Sequence, residues 1–166
     1  MKKFILFAFM ILAVTGISAT GQEAKDPKKI YNPEANARKD IANAVKKAKA
    51  EGKHVMVQIG GNWCGWCILF HGYIQEEPEI KKMIEDNFVF VLMNYSPENK
   101  NLDLLKYYRN PGRFGFPVFL ILDGKGKLLH TQDSGLLEEG KGYNKGKVLG
   151  FLRNWTPKAL DVSNIR

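Results

Sequence analysis

Residues 54–67 read HVMVQIGGNWCGWC, which is an apolar run, a glycine break and a cysteine pair in succession. The apolar run is rich in β-branched residues, and this composition predicts a buried central strand that ends at Ile59. Two glycines interrupt the strand, and a helix is predicted to begin at about Cys64 and to continue past Phe70. The sequence therefore places Cys64 and Cys67 where a strand meets a helix.

That position favours thiol chemistry. A helix N-terminus offers unpaired backbone N–H groups and the positive end of the helix dipole. Both stabilise a thiolate, which is the nucleophile in disulfide exchange. We predict that Cys64 is the exposed attacking thiol and that Cys67, one turn further in, resolves the mixed disulfide. Gln58 and Gly65 are predicted to support the pair.

Two other interpretations of the cysteine pair stay open. A purely structural disulfide would close a very short loop and would stabilise the fold by roughly 2 kcal/mol in the chain-entropy model. A metal site could use both cysteines and His71, which lies four residues after Cys67. Structural zinc usually takes four protein ligands, and the chain has two Cys and three His. We therefore predict no metal.

Helices and strands alternate on both sides of the motif. The predicted helices are 33–52, 64–70 and beyond, 78–87, 102–108 and 148–155, and the predicted strands are 54–59, 88–93, 118–122 and 127–131. Asn32 is predicted as the N-cap of the first helix, with Pro33 at its first position and Gly52 at its end. The glycine-rich stretch 135–146 is predicted to be an irregular loop.

The order of these elements predicts the fold class. A strand–helix–strand unit implies a parallel pair with a right-handed crossover. The short turn at 123–126 implies an antiparallel pair. We therefore predict an α/β fold whose mixed sheet has four strands, or slightly more, with helices on both faces.

The N-terminus has the pattern of a signal peptide. Lys2 and Lys3 precede an apolar run of eleven residues, 4–14, and small residues follow it. The run is shorter than the ~20 residues of a membrane span. We predict a signal peptide over 1–21, a flexible lead-in over 22–31, one domain over 32–157 and a C-terminal tail over 158–166. The mature protein is expected to be soluble and periplasmic or otherwise extracytoplasmic, and the alternative is an uncleaved N-terminal anchor.

Composition excludes several classes of protein. The 166 residues are 45% hydrophobic and 25% charged, which is ordinary for one globular domain and excludes a disordered or fibrous chain. The formal charge of +8 would fall to +6 with loss of Lys2 and Lys3. The lysine runs lie in amphipathic helical patterns without interleaved aromatic residues, so nucleic acid is not a predicted partner.

The motif in its context resembles the thioredoxin superfamily, and in particular exported thioredoxin-like proteins that open with a helix. The resemblance rests on Trp63 directly before the cysteine pair, on the strand and helix around it, and on 115–117 before a later strand. It covers about residues 33–156. It implies a thioredoxin fold, disulfide exchange with protein substrates, an electron-transfer partner in the membrane or envelope, and no cofactor besides the Cys64–Cys67 disulfide. A monomer is expected.

The resemblance also assigns roles to residues outside the pair. It implies that Pro117 is a cis-proline facing the two sulfurs and that Phe116 and Pro117 shape the substrate groove. Trp63 would flank the nucleophile, and Trp66 and Phe116 would extend an apolar surface for the substrate. The alternatives are a trans proline that begins a strand, and aromatic side chains that only pack.

Two positions depart from the common thioredoxin pattern. Gln58 stands where thioredoxins usually have a buried acid, and an amide cannot titrate, so acid–base help at Cys67 must come from water or from another group. Trp66 stands where thioredoxin has proline. It restores a backbone N–H that could reach the Cys64 thiolate.

The leading hypothesis is an exported thiol–disulfide oxidoreductase. A second hypothesis is a client-binding or chaperone-like module of the same fold, which would use the apolar surface around Trp63 and Phe116 with the cysteines oxidised and idle. A third, less favoured hypothesis is a metal-binding module. The sequence leaves the direction of electron flow open.

Overall fold

The structure, a computed structural model, describes residues 29–164. The predicted signal peptide, its cleavage site and lead-in residues 22–28 lie outside the described residues. Among the residues described, no helix combines the length and the apolar character that crossing a membrane requires.

Four strands form one mixed sheet in the order β2-β1-β3-β4. The strands are His54–Gly60 (β1), Phe88–Asn94 (β2), Val118–Leu122 (β3) and Leu128–Asp133 (β4). Strand β1 pairs in parallel with β2, whereas β3 is antiparallel to both β1 and β4. Every residue of β1 and β3 is buried because both are inner strands. The predicted mixed four-stranded sheet is confirmed.

Helices cover both faces of this sheet, as predicted. The α-helices are Ala37–Glu51 (α1), Gly65–Glu76 (α2), Pro78–Asn87 (α3), Leu102–Tyr107 (α4) and Lys145–Asn154 (α5). Side chains alternate between faces along a strand. Val55, Val57 and Ile59 therefore share a core with α1 and α4, whereas Met56 lies in the core formed with α2, α3 and α5.

The predicted start of the first helix is wrong. Helix α1 begins four residues later than expected, and its N-cap is Asn36, whose side chain accepts a hydrogen bond from the backbone N–H of Lys39 at 3.0 Å. Asn32 instead accepts from the N–H of Glu34 and makes a local turn. An Asn-Pro pair suits a turn as well as a helix start, so the two could not be distinguished from sequence. Gly52 ends the helix in the left-handed region, at φ 65°.

The stretch 135–146 is not an irregular loop. It contains the end of a 3-10 helix and a two-stranded hairpin, namely Ser134–Leu137, Glu138–Glu139 (β5) and Gly142–Tyr143 (β6). Leu137 and Tyr143 are buried in the core formed with α2, α3 and α5. Two apolar side chains in a glycine-rich stretch have no periodicity to reveal them, and tertiary contacts order the segment.

Substituting the two candidate N-caps separately tests the observed start of α1. Asn36→Ala is expected to lower the free energy of unfolding by about 1 kcal/mol, because it removes the acceptor for a helical N–H. Asn32→Ala, which removes an exposed turn contact, is expected to cost less than about 0.5 kcal/mol. Urea denaturation of both variants measures the difference, and an equal loss would contradict the observed cap.

Candidate active site

The two cysteines form a disulfide across the first turn of α2, with Cα atoms 5.2 Å apart. Cys64 is the N-cap residue of the helix and Cys67 lies inside its first turn. Cys67 is fully buried and Cys64 is 6% exposed. Cys64 is therefore less exposed than the sequence predicts, and Trp66 and Phe116 pack against the cluster that contains both cysteines. Cys64 is nevertheless the more accessible residue of the pair.

The helix start supplies a hydrogen bond to the outer sulfur. Cys64 Sγ accepts from the backbone N–H of Cys67 at 3.2 Å, which is the usual cap contact to the third helical residue. The sequence suggested the N–H of Trp66 as this donor. In the disulfide the donor is the N–H of Cys67, and a bond from Trp66 to the Cys64 thiolate stays a prediction. The Cys67 donor and the helix dipole both act at Cys64 Sγ.

Glycine at the end of β1 allows the helix to approach the strand. A Cβ atom on Gly60 would overlap Cys67 Sγ and would lie 2.8 Å from the hydroxyl oxygen of Tyr31. No side chain larger than hydrogen fits there without displacing the disulfide. Gly65 is different, because a Cβ atom at that position would meet no other atom within 4 Å. The chain geometry therefore requires Gly60, whereas Gly65 has room for a side chain.

Three aromatic side chains form a cluster beside the disulfide, called here the aromatic triad: Trp63, Tyr95 and Phe116. The Trp63 ring meets the Phe116 ring edge-to-face at 5.6 Å, and Phe116 stacks on Tyr95 at 4.7 Å. The indole N–H of Trp63 donates to the carbonyl oxygen of Tyr95 at 2.7 Å. Trp63 remains 55% exposed. The triad therefore offers solvent an anchored apolar surface.

Sequence analysis missed Tyr95. This residue follows β2, and the register pairs Gly60 of β1 with Asn94 of β2. The N–H of Tyr95 also donates to the carbonyl oxygen of Gly60 at 2.6 Å. The predicted parallel pairing of β1 with β2 could have pointed to Tyr95. The carboxyl ends of parallel strands meet at one edge of the sheet, so the residues that follow β1 and β2 lie close together.

Trp66 makes an aromatic contact outside the triad. Its ring meets Tyr143 edge-to-face at 5.5 Å, and the hydroxyl of Tyr143 donates to the Trp66 carbonyl oxygen at 3.3 Å. The Trp66 ring therefore contacts Tyr143 of β6, and the single apolar surface expected from the two tryptophans and Phe116 stays a prediction. The contact made by Tyr143 was not predicted, because this residue lies in the glycine-rich stretch 135–146, which has no periodic pattern.

The segment before β3 contacts the disulfide region through Phe116. The Phe116–Pro117 peptide bond is cis, and Pro117 is buried directly before the strand. Phe116 packs against the cluster of Tyr31, Cys64 and Cys67. The substrate roles of Phe116 and Pro117 remain predictions.

A buried polar pair lies behind the inner cysteine. Gln58 is fully buried, and its Nε2 donates to the hydroxyl oxygen of Tyr31 at 2.7 Å and to the carbonyl oxygen of Cys67 at 3.0 Å. Burial raises the pKa of Tyr31 well above the usual range for tyrosine. Gln58 is thus in hydrogen-bond contact with the backbone of Cys67, and its supporting role stays a prediction.

Tyr31 corrects the predicted lead-in, which extended through residue 31. The residue is only 3% exposed, and the side chain of Asn62 accepts from its backbone N–H at 2.9 Å and donates to its carbonyl oxygen at 2.8 Å. A lone aromatic residue after a polar stretch has no periodicity, so its burial could not be predicted from sequence.

His71 is half-buried on α2, and burial lowers its pKa below the usual value. Its ring lies 6.1 Å from that of Phe90. Among residues 29–164 no group of three or more His, Cys, Asp or Glu side chains could hold a metal ion.

Replacing two glycines separately tests the close approach at the disulfide. Gly60→Ala is expected to lower the free energy of unfolding by about 1–3 kcal/mol, because the added methyl group overlaps Cys67 Sγ. Gly65→Ala is the matched control and is expected to change stability by less than about 0.5 kcal/mol. Denaturation of the oxidised proteins measures both, and a Gly60→Ala variant as stable as the parent would refute the packing described.

Comparisons with known proteins agree with this architecture. The structure of a disulphide isomerase from Xylella fastidiosa Temecula1 superposes with a TM-score of 0.67 at 21% identity, covering 76% of this chain and 95% of that one. A thioredoxin from Thermus thermophilus gives a TM-score of 0.50 at 23% identity, covering 68% and 81%. At these identities the likeness concerns the fold.

Curated sequence relatives are also similar over part of the chain. The thiol:disulfide interchange protein DsbD of Escherichia coli K12 is 28% identical over 79 residues, which is 48% of this chain and 14% of that protein. The chain thus spans a small part of the curated relatives it matches. A family model described as thioredoxin-like matches residues 36–124, more than half of the chain. The chain therefore belongs to the thioredoxin-like family.

Proposed function

We propose that this protein is an exported thiol–disulfide oxidoreductase that exchanges disulfides with protein substrates through Cys64 and Cys67. The observation that carries the proposal is the disulfide at the start of α2, with Cys64, the less buried of the two residues, at the N-cap. A disulfide with a purely structural role would not have to lie at the N-terminus of a helix. The cysteine pair is the redox centre and no further cofactor is invoked.

We propose different roles for the two sulfurs, because Cys64 is the less buried residue of the pair. A substrate thiolate attacks Cys64 Sγ, and Cys67 leaves as a thiolate. This step joins the substrate to Cys64 in a mixed disulfide. In the reverse direction the Cys64 thiolate attacks a substrate disulfide, and Cys67 then displaces the substrate. The helix N-terminus stabilises the Cys64 thiolate whenever it forms.

The surface around the pair supports a peptide as substrate. Trp63 of the aromatic triad is exposed, and Phe116 and Pro117 lie in the segment before β3. We propose that Trp63 and Phe116 contact the substrate, that buried Pro117 shapes the segment beside them, and that Trp66 makes a flanking contact. An extended peptide could add its backbone along the segment at 115–117, as in strand addition.

Export and an electron-transfer partner in the membrane or envelope are parts of the same proposal. Export rests on the signal pattern at 1–21, and the similarity to a protein named for thiol:disulfide interchange supports the activity. The equilibrium potential of the pair decides the direction of electron flow. A value near or below about −250 mV would indicate a reductase, and one above about −180 mV an oxidant or isomerase.

Single cysteine variants test the assignment of the two sulfurs. Cys67→Ser is expected to accumulate a mixed disulfide with a model protein substrate, because nothing remains to resolve it. Cys64→Ser is expected to lose disulfide-reductase activity and to trap no adduct. Mass spectrometry and an activity assay measure the two outcomes. Full activity in Cys64→Ser would refute the nucleophile, and client binding without exchange in the parent would favour the chaperone-like alternative.

Removing the exposed tryptophan tests the substrate surface. Trp63→Ala is expected to lower kcat/KM for a peptide disulfide about tenfold, the effect of losing about 1.4 kcal/mol of contact. The rate with dithiothreitol, which is too small to use the surface, should stay unchanged. Tyr107→Ala is the matched control because Tyr107 is an exposed aromatic residue on α4. Equal losses with both reagents would contradict a docking role.

A further inference from the structure

We propose that the Tyr31 hydroxyl, which accepts a hydrogen bond from Gln58, donates a hydrogen bond to Cys67 Sγ when the disulfide opens and stabilises the Cys67 thiolate. This inference rests on the proposed function, in which Cys67 is the sulfur released. The Tyr31 hydroxyl would be a hydrogen-bond donor for Cys67. Thioredoxins usually have a buried acid near this cysteine, and this chain has the amide of Gln58 there.

The hydroxyl and the inner sulfur face the same point in the structure. A Cβ atom on Gly60 would meet both groups, overlapping Cys67 Sγ and lying 2.8 Å from Tyr31 Oη. Tyr31, Cys64 and Cys67 also form one buried cluster. The absence of a side chain on Gly60 leaves nothing from that residue between the hydroxyl and the sulfur.

The orientation of the Gln58 amide leaves the hydroxyl hydrogen unused. The Cys67 carbonyl oxygen can only accept, so it selects the orientation in which Nε2 of Gln58 points towards it. The same Nε2 donates to the Tyr31 hydroxyl. Among the hydrogen bonds of the described residues the hydroxyl therefore only accepts. Its own O–H hydrogen is available to a new acceptor.

Tyr31 is held in place at its backbone as well as at its hydroxyl. Asn62 makes two hydrogen bonds to the Tyr31 backbone, at 2.9 and 2.8 Å, and lies two residues before Cys64. The loop that presents the disulfide thus also positions the tyrosine. Because both ends are fixed, little conformational entropy is lost when the new hydrogen bond forms.

Cys67 is fully buried. The hydrophobic side chains packed against its cluster are Ile30, Trp66, Leu92 and Phe116. Tyr143 is the ionisable group whose charge acts on Tyr31, and it raises the Tyr31 pKa further. An ionised thiol in such surroundings is costly without a donor. The raised pKa keeps Tyr31 protonated, so it acts as a donor and not as a base.

The chemical step needs no other reagent. A substrate thiolate attacks Cys64 Sγ, the Cys64–Cys67 bond breaks, and its electron pair stays on Cys67 Sγ. A new bond joins the substrate sulfur to Cys64, so one disulfide replaces another and the substrate thiol is oxidised as Cys67 is reduced. The Tyr31 proton stays on the tyrosine throughout and only its hydrogen bond changes acceptor.

The pKa of Cys67 gives a direct test. In a Cys64→Ser protein Cys67 is the only cysteine, and its ¹³Cβ chemical shift reports its ionisation as pH is varied. Adding Tyr31→Phe is expected to raise the Cys67 pKa by about 1, as expected for losing a hydrogen bond to a charged group. Tyr108→Phe is the matched control, because Tyr108 is a buried tyrosine in the core with α1 and α4.

A rate measurement on the two-cysteine protein provides an independent readout. Tyr31→Phe is expected to slow reduction of the disulfide by dithiothreitol about threefold, because a leaving thiol of higher pKa leaves more slowly. Tyr108→Phe should leave the rate unchanged. Dithiothreitol is a small reductant that reacts without binding to the aromatic triad. A variant that only weakened peptide binding would therefore leave this rate unchanged.

Replacing Tyr31 by 3-fluorotyrosine covers the case in which Tyr31→Phe does not fold. Its more acidic hydroxyl is a stronger donor, so the Cys67 pKa is expected to fall in the Cys64→Ser background. An unchanged Cys67 pKa in both tyrosine replacements would overturn the role of Tyr31. That result would leave the proposed function intact, whereas a parent disulfide that does not exchange with thiols would overturn the proposed function itself.

Discussion

The close approach between the end of β1 and the first turn of α2 is the constraint on which the site depends. It exists because Gly60 has no side chain, so the Cys67 sulfur occupies the space that a Cβ atom would take. The same space brings the hydroxyl of Tyr31 towards the inner sulfur. Strand, helix and N-terminal segment thus meet at one backbone position.

This packing produces a redox site with little charge. The inner cysteine lies beside an amide and a phenol, where an acid is usual in the thioredoxins that the sequence resembles, and hydrophobic side chains pack against the cluster that contains both cysteines. In the role proposed for Tyr31, charge that develops on Cys67 would be stabilised by oriented dipoles and hydrogen-bond donors. Such a site depends on how accurately its donors are placed, which explains why Asn62 and Gln58 hold Tyr31 at both ends.

The surface proposed to bind the substrate shows the same dependence on placement. The aromatic triad is assembled from the loop after β1, the end of β2 and the segment before β3, so no local stretch contains it. The Trp66 ring contacts Tyr143 of the hairpin. The disulfide lies at the one place where these separate elements come together.

The sequence by itself determined the mixed sheet, its helices and the cysteine pair at a helix start, because period-2 and period-3.6 patterns and turn residues are local signals. It could not decide that Tyr31 is buried, that Tyr95 joins Trp63, or that 135–146 holds a hairpin. Each of these depends on contacts between residues far apart in the chain. Only the tertiary structure decided them, since a single aromatic residue without periodicity is placed by what packs against it.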